Sequence, residues 1–434
     1  RQKGAIYNLY AAEDIKTPDG AVVYQAGALV KENLVTGDDG SVTVTNLHLG
    51  TYRVTEIQAP ENFYNAGESK TVTISYAGQT AEAAFAETTF QNDRQKAEVS
   101  VVKQDKETTN PLPGGIFGLY ADEDILNADG AVVVKKDTLI EKVTTNGEGK
   151  AAFTSDLPIG FGYYVKEVQA PENYLRNLED KYSFRFSYTN DEEAKVQFAH
   201  TFSNERVNAA IVLQKKDAET NTNVPQGDAS LEQAVYGVYA RKDIVHPDGK
   251  TGVIYKAGEQ VGTLTTDKEG KARIENLYLG EYFVKEITPP VGYLADENEY
   301  DLVCSYEGDL VATVERDCTS PEQVKKQPFQ IIKAANNGNT DAALLEGAGF
   351  TAYLVSSLTV KEDGTYDFDS ATPVVLGENG ATEIFTDKKG YAVSIPLPYG
   401  TYVVRETTTP HNYKPVDDFI VRITEHKPTE PQVW

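Results

Sequence analysis

Four times in this chain a strand-like block ends on a glutamate that should face the protein interior. The first copy is Gly50-Thr51-Tyr52-Arg53-Val54-Thr55-Glu56-Ile57-Gln58-Ala59-Pro60-Glu61-Asn62-Phe63. Aligned on Glu56, the others are Tyr163-Tyr164-Val165-Lys166-Glu167, Tyr282-Phe283-Val284-Lys285-Glu286 and Tyr402-Val403-Val404-Arg405-Glu406. A proline follows each glutamate (Pro60, Pro171, Pro290, Pro410), and then an aromatic (Phe63, Tyr174, Tyr293, Tyr413). Tyr-x-Val-x-Glu has the period of two that puts all three side chains on one face of a strand. Tyr and Val mark that face as the core side. A buried carboxylate costs several kcal/mol unless it is protonated or partnered, so a partner is expected four times.

The repeat extends well beyond this block. Gly4-Ala5-Ile6-Tyr7-Asn8-Leu9-Tyr10-Ala11 matches Gly115-Ile116-Phe117-Gly118-Leu119-Tyr120-Ala121 and Ala234-Val235-Tyr236-Gly237-Val238-Tyr239-Ala240, with a weaker copy at Gly347-Ala348-Gly349-Phe350-Thr351-Ala352-Tyr353. Asp-Gly turns recur between the blocks at Asp19-Gly20, Asp129-Gly130, Asp248-Gly249 and Asp363-Gly364. Successive glutamates stand 111, 119 and 120 residues apart. That is the size of a small domain and too long for a solenoid unit. Short strands, frequent turn signals and almost no helical period predict an all-β chain of four tandem antiparallel β-sandwiches of immunoglobulin-like kind. Charged segments at 93–96, 205–208 and 323–327 set the expected domains at 1–94, 95–206, 207–324 and 325–434. The joints are short and lack Gly/Ser runs, so they should be stiff, and four such units in line would make a rod.

Composition narrows the function classes. The 434 residues carry a net charge of −25, which argues against nucleic acid or an anionic membrane surface as partner. No apolar run reaches the ~20 residues that span a bilayer, and the sequence shows no signal peptide or sorting signal. The chain starts at Arg1 and contains no Met, and reads as a mature or excised portion of a longer exported protein. His48, His200, His246, His411 and His426 are scattered without ligand or triad spacing, and no phosphate-cradling glycine loop follows a strand. The expectation is therefore no enzyme of the turnover kind, no cofactor and no metal. Loops 13–20, 123–130 and 242–249 are partly acidic, but their spacing is not that of an EF-hand.

A partner for the glutamate appears when the first strand of each later repeat is read the same way. Val99, Val101 and Lys103 share one side, as do Ile211, Leu213 and Lys215, and Phe329, Ile331 and Lys333. A lysine on an apolar face is rare without a partner. Eleven residues before Lys103 stands Asn92, and eleven before Lys215 stands Asn204, each two residues after a phenylalanine (Phe90, Phe202). The second repeat thus offers Lys103 on its first strand, Glu167 in the middle and Asn204 on its last.

These features resemble the B-type repeat of the Gram-positive collagen adhesin, the prealbumin-like or SpaA-type domain of surface adhesins and sortase-assembled pilins. The resemblance covers the whole chain. It implies a first-strand Lys and a last-strand Asn joined by an intramolecular isopeptide bond, with the strand Glu as catalyst: here Lys103 and Asn204, with Glu167. It also implies an extracellular, cell-wall-anchored stalk on a Gram-positive surface. Its partners would be a host or cell-surface ligand, and sortase and the cell wall through regions outside this chain. A self-polymerising pilus subunit and a module that binds matrix protein or glycan are the alternatives.

The other repeats are expected to be incomplete. The first has Glu56 and Asn92, but its lysine position falls before Gly4, and Lys3 is a poor substitute. The fourth has Lys333 and Glu406, with its last strand missing. The third has Lys215 and Glu286, yet Glu322 stands where the pattern calls for Asn or Asp, and Asp317 is the out-of-register alternative. The two cysteines of the chain, Cys304 and Cys318, both fall in the third repeat. Confinement to one exported domain favours a disulfide. A hairpin turn at 307–309 would set them out of register, leaving two buried thiols as the other reading.

Overall fold

The computed structural model describes residues 1–336 and 342–434. Strands dominate, and the helical elements among the described residues are two short 3-10 turns, Val355–Ser357 and Glu378–Gly380. The chain divides into two compact units, residues 1–206 and 207–434.

Within the first unit, the second repeat shows the full plan. One sheet has the strand order Leu139–Thr144, Ile116–Ala121, Phe161–Gln169, Lys181–Phe186. The other has Lys150–Ala152, Lys96–Asp105, Lys195–Asn204. Val99, Val101, Phe117, Leu119, Tyr163, Val165, Phe186 and Phe202 fill the space between them. The opening strand Lys96–Asp105 is central in its sheet, and the closing strand Lys195–Asn204 lies beside it in parallel, with Asp105 opposite Asn204. Other neighbours in these two sheets pair antiparallel. The expected antiparallel sandwich is thus present and carries one parallel pair, a relation that alternation along a single strand does not encode.

The first repeat keeps only one of these sheets among the described residues: Leu29–Val35, Ile6–Ala11, Gly50–Gln58, Ser69–Ile74. Elsewhere the opening strand is the middle of the second sheet. Without it, the flanking segments have no ladder to join, and residues 84–92 carry no strand.

In the second unit the third repeat repeats the plan. Gln260–Thr265, Val235–Ala240, Gly280–Thr288 and Glu299–Cys304 face Lys271–Leu277, Asn208–Asp217 and Thr313–Glu322. Opening and closing strands are again parallel, with Asp217 opposite Glu322. The fourth repeat, expected to lack its last strand, has a short one: Gln432–Val433 runs parallel to Phe329–Ile332.

The conserved-looking block has a physical reason for each residue. The motif tyrosine is buried in all four copies and donates its hydroxyl to a nearby carbonyl. Tyr52 reaches His48 O at 2.8 Å, Tyr163 reaches Pro158 O at 2.9 Å, Tyr282 reaches Tyr278 O at 2.5 Å and Tyr402 reaches Pro398 O at 2.8 Å. Burial of a phenol demands such a partner. After the proline, a turn places Asn62, Asn173, Gly292 and Asn412 at positive φ, where Asn and Gly are tolerated best. The joints inside each unit are tied by hydrogen bonds. Asp191 accepts from Ala59 N and Asn65 N at 2.8 Å, and Asp228 accepts from Thr401 N at 3.0 Å.

Candidate functional site

The second repeat brings Lys103, Glu167 and Asn204 together in its core. Lys103 and Glu167 arrive from strands of opposite sheets, and Asn204 lies on the strand next to Lys103. Their exposures are 0%, 5% and 1%. Lys103 Nζ lies 3.1 Å from Glu167 Oε1 and donates to Asn204 Oδ1. Asn204 Nδ2 donates to both Glu167 oxygens, at 3.0 and 2.9 Å. Asn177 N adds a further bond to Glu167 Oε2 at 3.2 Å. Phe117 and Phe202, ring centroids 4.7 Å apart, wall the cluster, and the lysine nitrogen lies 5.8 Å from the Phe117 ring. Burial lowers the Lys103 pKa from its ordinary value, while the neighbouring Glu167 pulls the other way. An amine, an amide and a carboxyl group are thus in mutual contact away from water.

In the first repeat the same acid and amide meet, and no lysine among the described residues joins them. Asn92 Nδ2 donates to Glu56 Oε2 at 2.7 Å, and the Tyr7 hydroxyl donates to Glu56 Oε1 at 3.1 Å. Burial raises the Glu56 pKa, opposed by its bonds to Asn92 and Tyr7. Lys3 is far from this role: it is exposed and pairs with Asp38 at 2.6 Å.

The fourth repeat pairs the amine with the acid. Lys333 Nζ pairs with Glu406 Oε2 at 2.7 Å, and Val416 N donates to the same oxygen at 2.7 Å. Glu406 Oε1 is buried without a hydrogen-bond partner, whereas Glu167 Oε1 holds Asn204.

The third repeat departs most from expectation. Lys215 is fully buried and contacts two carboxylates, Glu286 Oε1 at 3.0 Å and Glu322 Oε1. Asp317 sits on the exposed face of its strand and has no place in the cluster, because it lies an odd number of residues from Glu322. Tyr236 and Ser320, which sequence reasoning did not single out, complete the site. Tyr236 occupies the place of Phe117 opposite the glutamate, and Ser320 the place of Phe202 opposite the lysine. The signal in the aligned copies was Ser320, which stands where the first and second repeats have Phe90 and Phe202; tyrosine also fills the other place in the first repeat, where Tyr7 lies opposite Glu56. Burial lowers the Lys215 pKa to about 8 against the pull of Glu286.

Cys304 and Cys318 are free, buried thiols, so the disulfide offered as one reading is not formed. The chain crosses between sheets after Cys304, which ends a strand of the four-stranded sheet, while Cys318 belongs to the closing strand of the other. The two face the same core from opposite layers and are not hairpin neighbours.

Two sheets packed around a buried Lys–Glu–amide cluster define a class, and comparison with known proteins names it. The family described as SpaA, a prealbumin-like fold domain, matches residues 3–89, 97–201, 209–317 and 327–433. The chain belongs to that family, as four tandem copies. It is similar to a collagen adhesin of Staphylococcus aureus, 28% identical over 217 residues, covering 47% of this chain and 16% of that protein. The chain thus aligns with about a sixth of the length of that relative. Among solved structures it resembles the Bacillus anthracis TIE protein (17% identity, 99% of this chain, 67% of that one, TM-score 0.48). A variant of the major pilin subunit of Bacillus cereus also matches (13% identity, 78% and 99% covered, TM-score 0.28).

Proposed function

We propose that this chain is a stalk segment of a Gram-positive surface adhesin, with its second repeat locked by an autocatalytic isopeptide bond between Lys103 and Asn204. The observation that supports this reading is the closed triangle of Lys103, Glu167 and Asn204. Burial favours the neutral amine at Lys103. Its lone pair attacks Asn204 Cγ, whose carbonyl oxygen lies against Nζ. Glu167 takes the proton shed by the amine and delivers it to the Asn204 nitrogen on which it already accepts hydrogen bonds. A C–N bond forms, another breaks, and ammonia leaves. The step runs once per molecule and is maturation, without turnover.

Such a bond closes a loop whose ends are 101 residues apart, a constraint worth up to about 4–5 kcal/mol by loop entropy. The parallel pairing of opening and closing strands gives it a mechanical role. Tension entering at Lys96 would run along one strand, cross at Lys103–Asn204 and leave through Glu205. A stalk under shear outside the cell, without chaperones, suits this plan. Ligand binding to host tissue, anchoring by sortase and a cell-wall location would come from the whole protein of which such repeats are parts. The intact mass of the purified chain tests the bond. One ammonia should be missing, and a peptide pair linking Lys103 to Asn204 should appear after proteolysis. Linear peptides carrying an unmodified Lys103 would refute it.

A further inference from the structure

We propose that the third repeat forms a different covalent cross-link, an amide between Lys215 Nζ and the side-chain carboxyl of Glu322, made by condensation with loss of water. The idea shares the chemistry argued for the second repeat, but it stands on its own set of contacts and its own product.

Charge balance is the first argument. Lys215 can neutralise one carboxylate, yet Glu286 and Glu322 both touch its nitrogen, and all three side chains are at most 1% exposed. Two carboxylates sharing one buried cation cannot both stay ionised cheaply, so one is held as the neutral acid. A neutral carboxyl beside a buried amine is the pair that condensation needs. The second argument is hydrogen bonding. Glu322 Oε2 is buried with no hydrogen-bond partner, an arrangement costly for a permanent ion pair. Condensation expels one of the two oxygens of Glu322.

The surrounding groups suit an acidic acceptor. The Tyr236 hydroxyl accepts from Lys215 Nζ at 2.8 Å and lies 2.9 Å from Glu322 Oε1, to which it can donate. Ser320 Oγ, 2.8 Å from the same phenol, donates onward to Asp296 Oδ2 at 2.9 Å. Asp296 N in turn donates to Glu286 Oε2 at 2.7 Å, fixing that carboxyl beside the lysine. In the second repeat the equivalent positions are Phe117 and Phe202, and in the first they are Tyr7 and Phe90, so of these three repeats the serine is found only beside the acidic acceptor. The burial that lowers Lys215 raises its neutral fraction near neutral pH.

The step balances as follows. Glu286 accepts one proton from the Lys215 ammonium. Nζ attacks Glu322 Cδ, with Tyr236 polarising the C–O bond. The N–C bond forms and the bond from Cδ to the hydroxyl of the neutral Glu322 carboxyl breaks; that hydroxyl takes one amine hydrogen and leaves as water, and Glu286 keeps the proton it accepted. One hydrogen stays on the amide nitrogen, and no oxidant or reductant enters.

The test is mass spectrometry on the full chain with a proteolytic map. The expected result is one water missing from the third repeat and a peptide pair joining Lys215 to Glu322. Glu322→Ala and Glu286→Ala should each restore that water, while the ammonia missing from the second repeat stays missing. Glu322→Gln is the sharper variant, because the same bond would then release ammonia in place of water. Tyr236→Phe should slow closure and leave a mixture of linked and open chains. Wild-type chain with Lys215 and Glu322 in separate linear peptides overturns the proposal, whatever the second repeat does. A missing water without a missing ammonia would sink the Lys103–Asn204 bond alone.

Discussion

The first and second repeats carry the same acid and the same amide, and differ by one strand. In the second, Lys103 enters on the opening strand, and that strand is also the centre of a sheet. In the first, Glu56 and Asn92 still meet at 2.7 Å, while the sheet around Asn92 is absent among the described residues. The opening strand therefore supplies two things at once, a buried amine and the ladder that holds the strand of Asn204. Contact between Glu and Asn survives without either. What the second repeat adds among the described residues is a lysine in contact with both.

The largest effect expected from breaking this contrast is at Glu167. Glu167→Ala should abolish the loss of ammonia and destabilise the second repeat by up to about 4–5 kcal/mol, read by intact mass and thermal unfolding. Glu56→Ala should leave the mass deficit unchanged. Next comes the aromatic wall. Phe117→Ala should cost about 3–5 kcal/mol through the cavity it leaves, and should wet the lysine enough to slow bond formation, followed by mass over time. A smaller and equal change is expected at the motif tyrosines: Tyr163→Phe and Tyr52→Phe should each cost about 1 kcal/mol in denaturant unfolding, since each strands one carbonyl. Unequal costs would show that the two glutamate strands are not equivalent. The smallest effect is in pH. Burial raises the Glu56 pKa above 4.5, so its contribution to stability is full below that value and is lost as pH rises through the raised value of the folded state. Glu56→Gln should flatten this part of the melting-temperature profile.

The glutamate strand was legible because a period of two reports which face a residue takes, and Tyr163, Val165 and Glu167 all proved buried. The lysines were legible for the same reason, since Lys103 and Lys215 continue apolar faces. Pairing was not. Alternation tells which way Cys304 and Cys318 point, but not that their strands lie in opposite sheets. Nor does it say that opening and closing strands run parallel, because that depends on the path of the intervening hundred residues. Glu322 looked like a defect when each acceptor was matched to Asn or Asp. Its meaning depends on Tyr236 and Ser320, which are remote in sequence and adjacent only in the folded repeat.

The parallel register that sets Asp105 opposite Asn204 has a consequence for extensibility. With the neighbouring Lys103 and Asn204 fused, the 101 residues between them could not be paid out under load. That withheld slack is about 350 Å of contour length at ~3.5 Å per residue. A tether that keeps it stored stays short and recoils fully, at the expense of the shock absorption that an unravelling domain would provide.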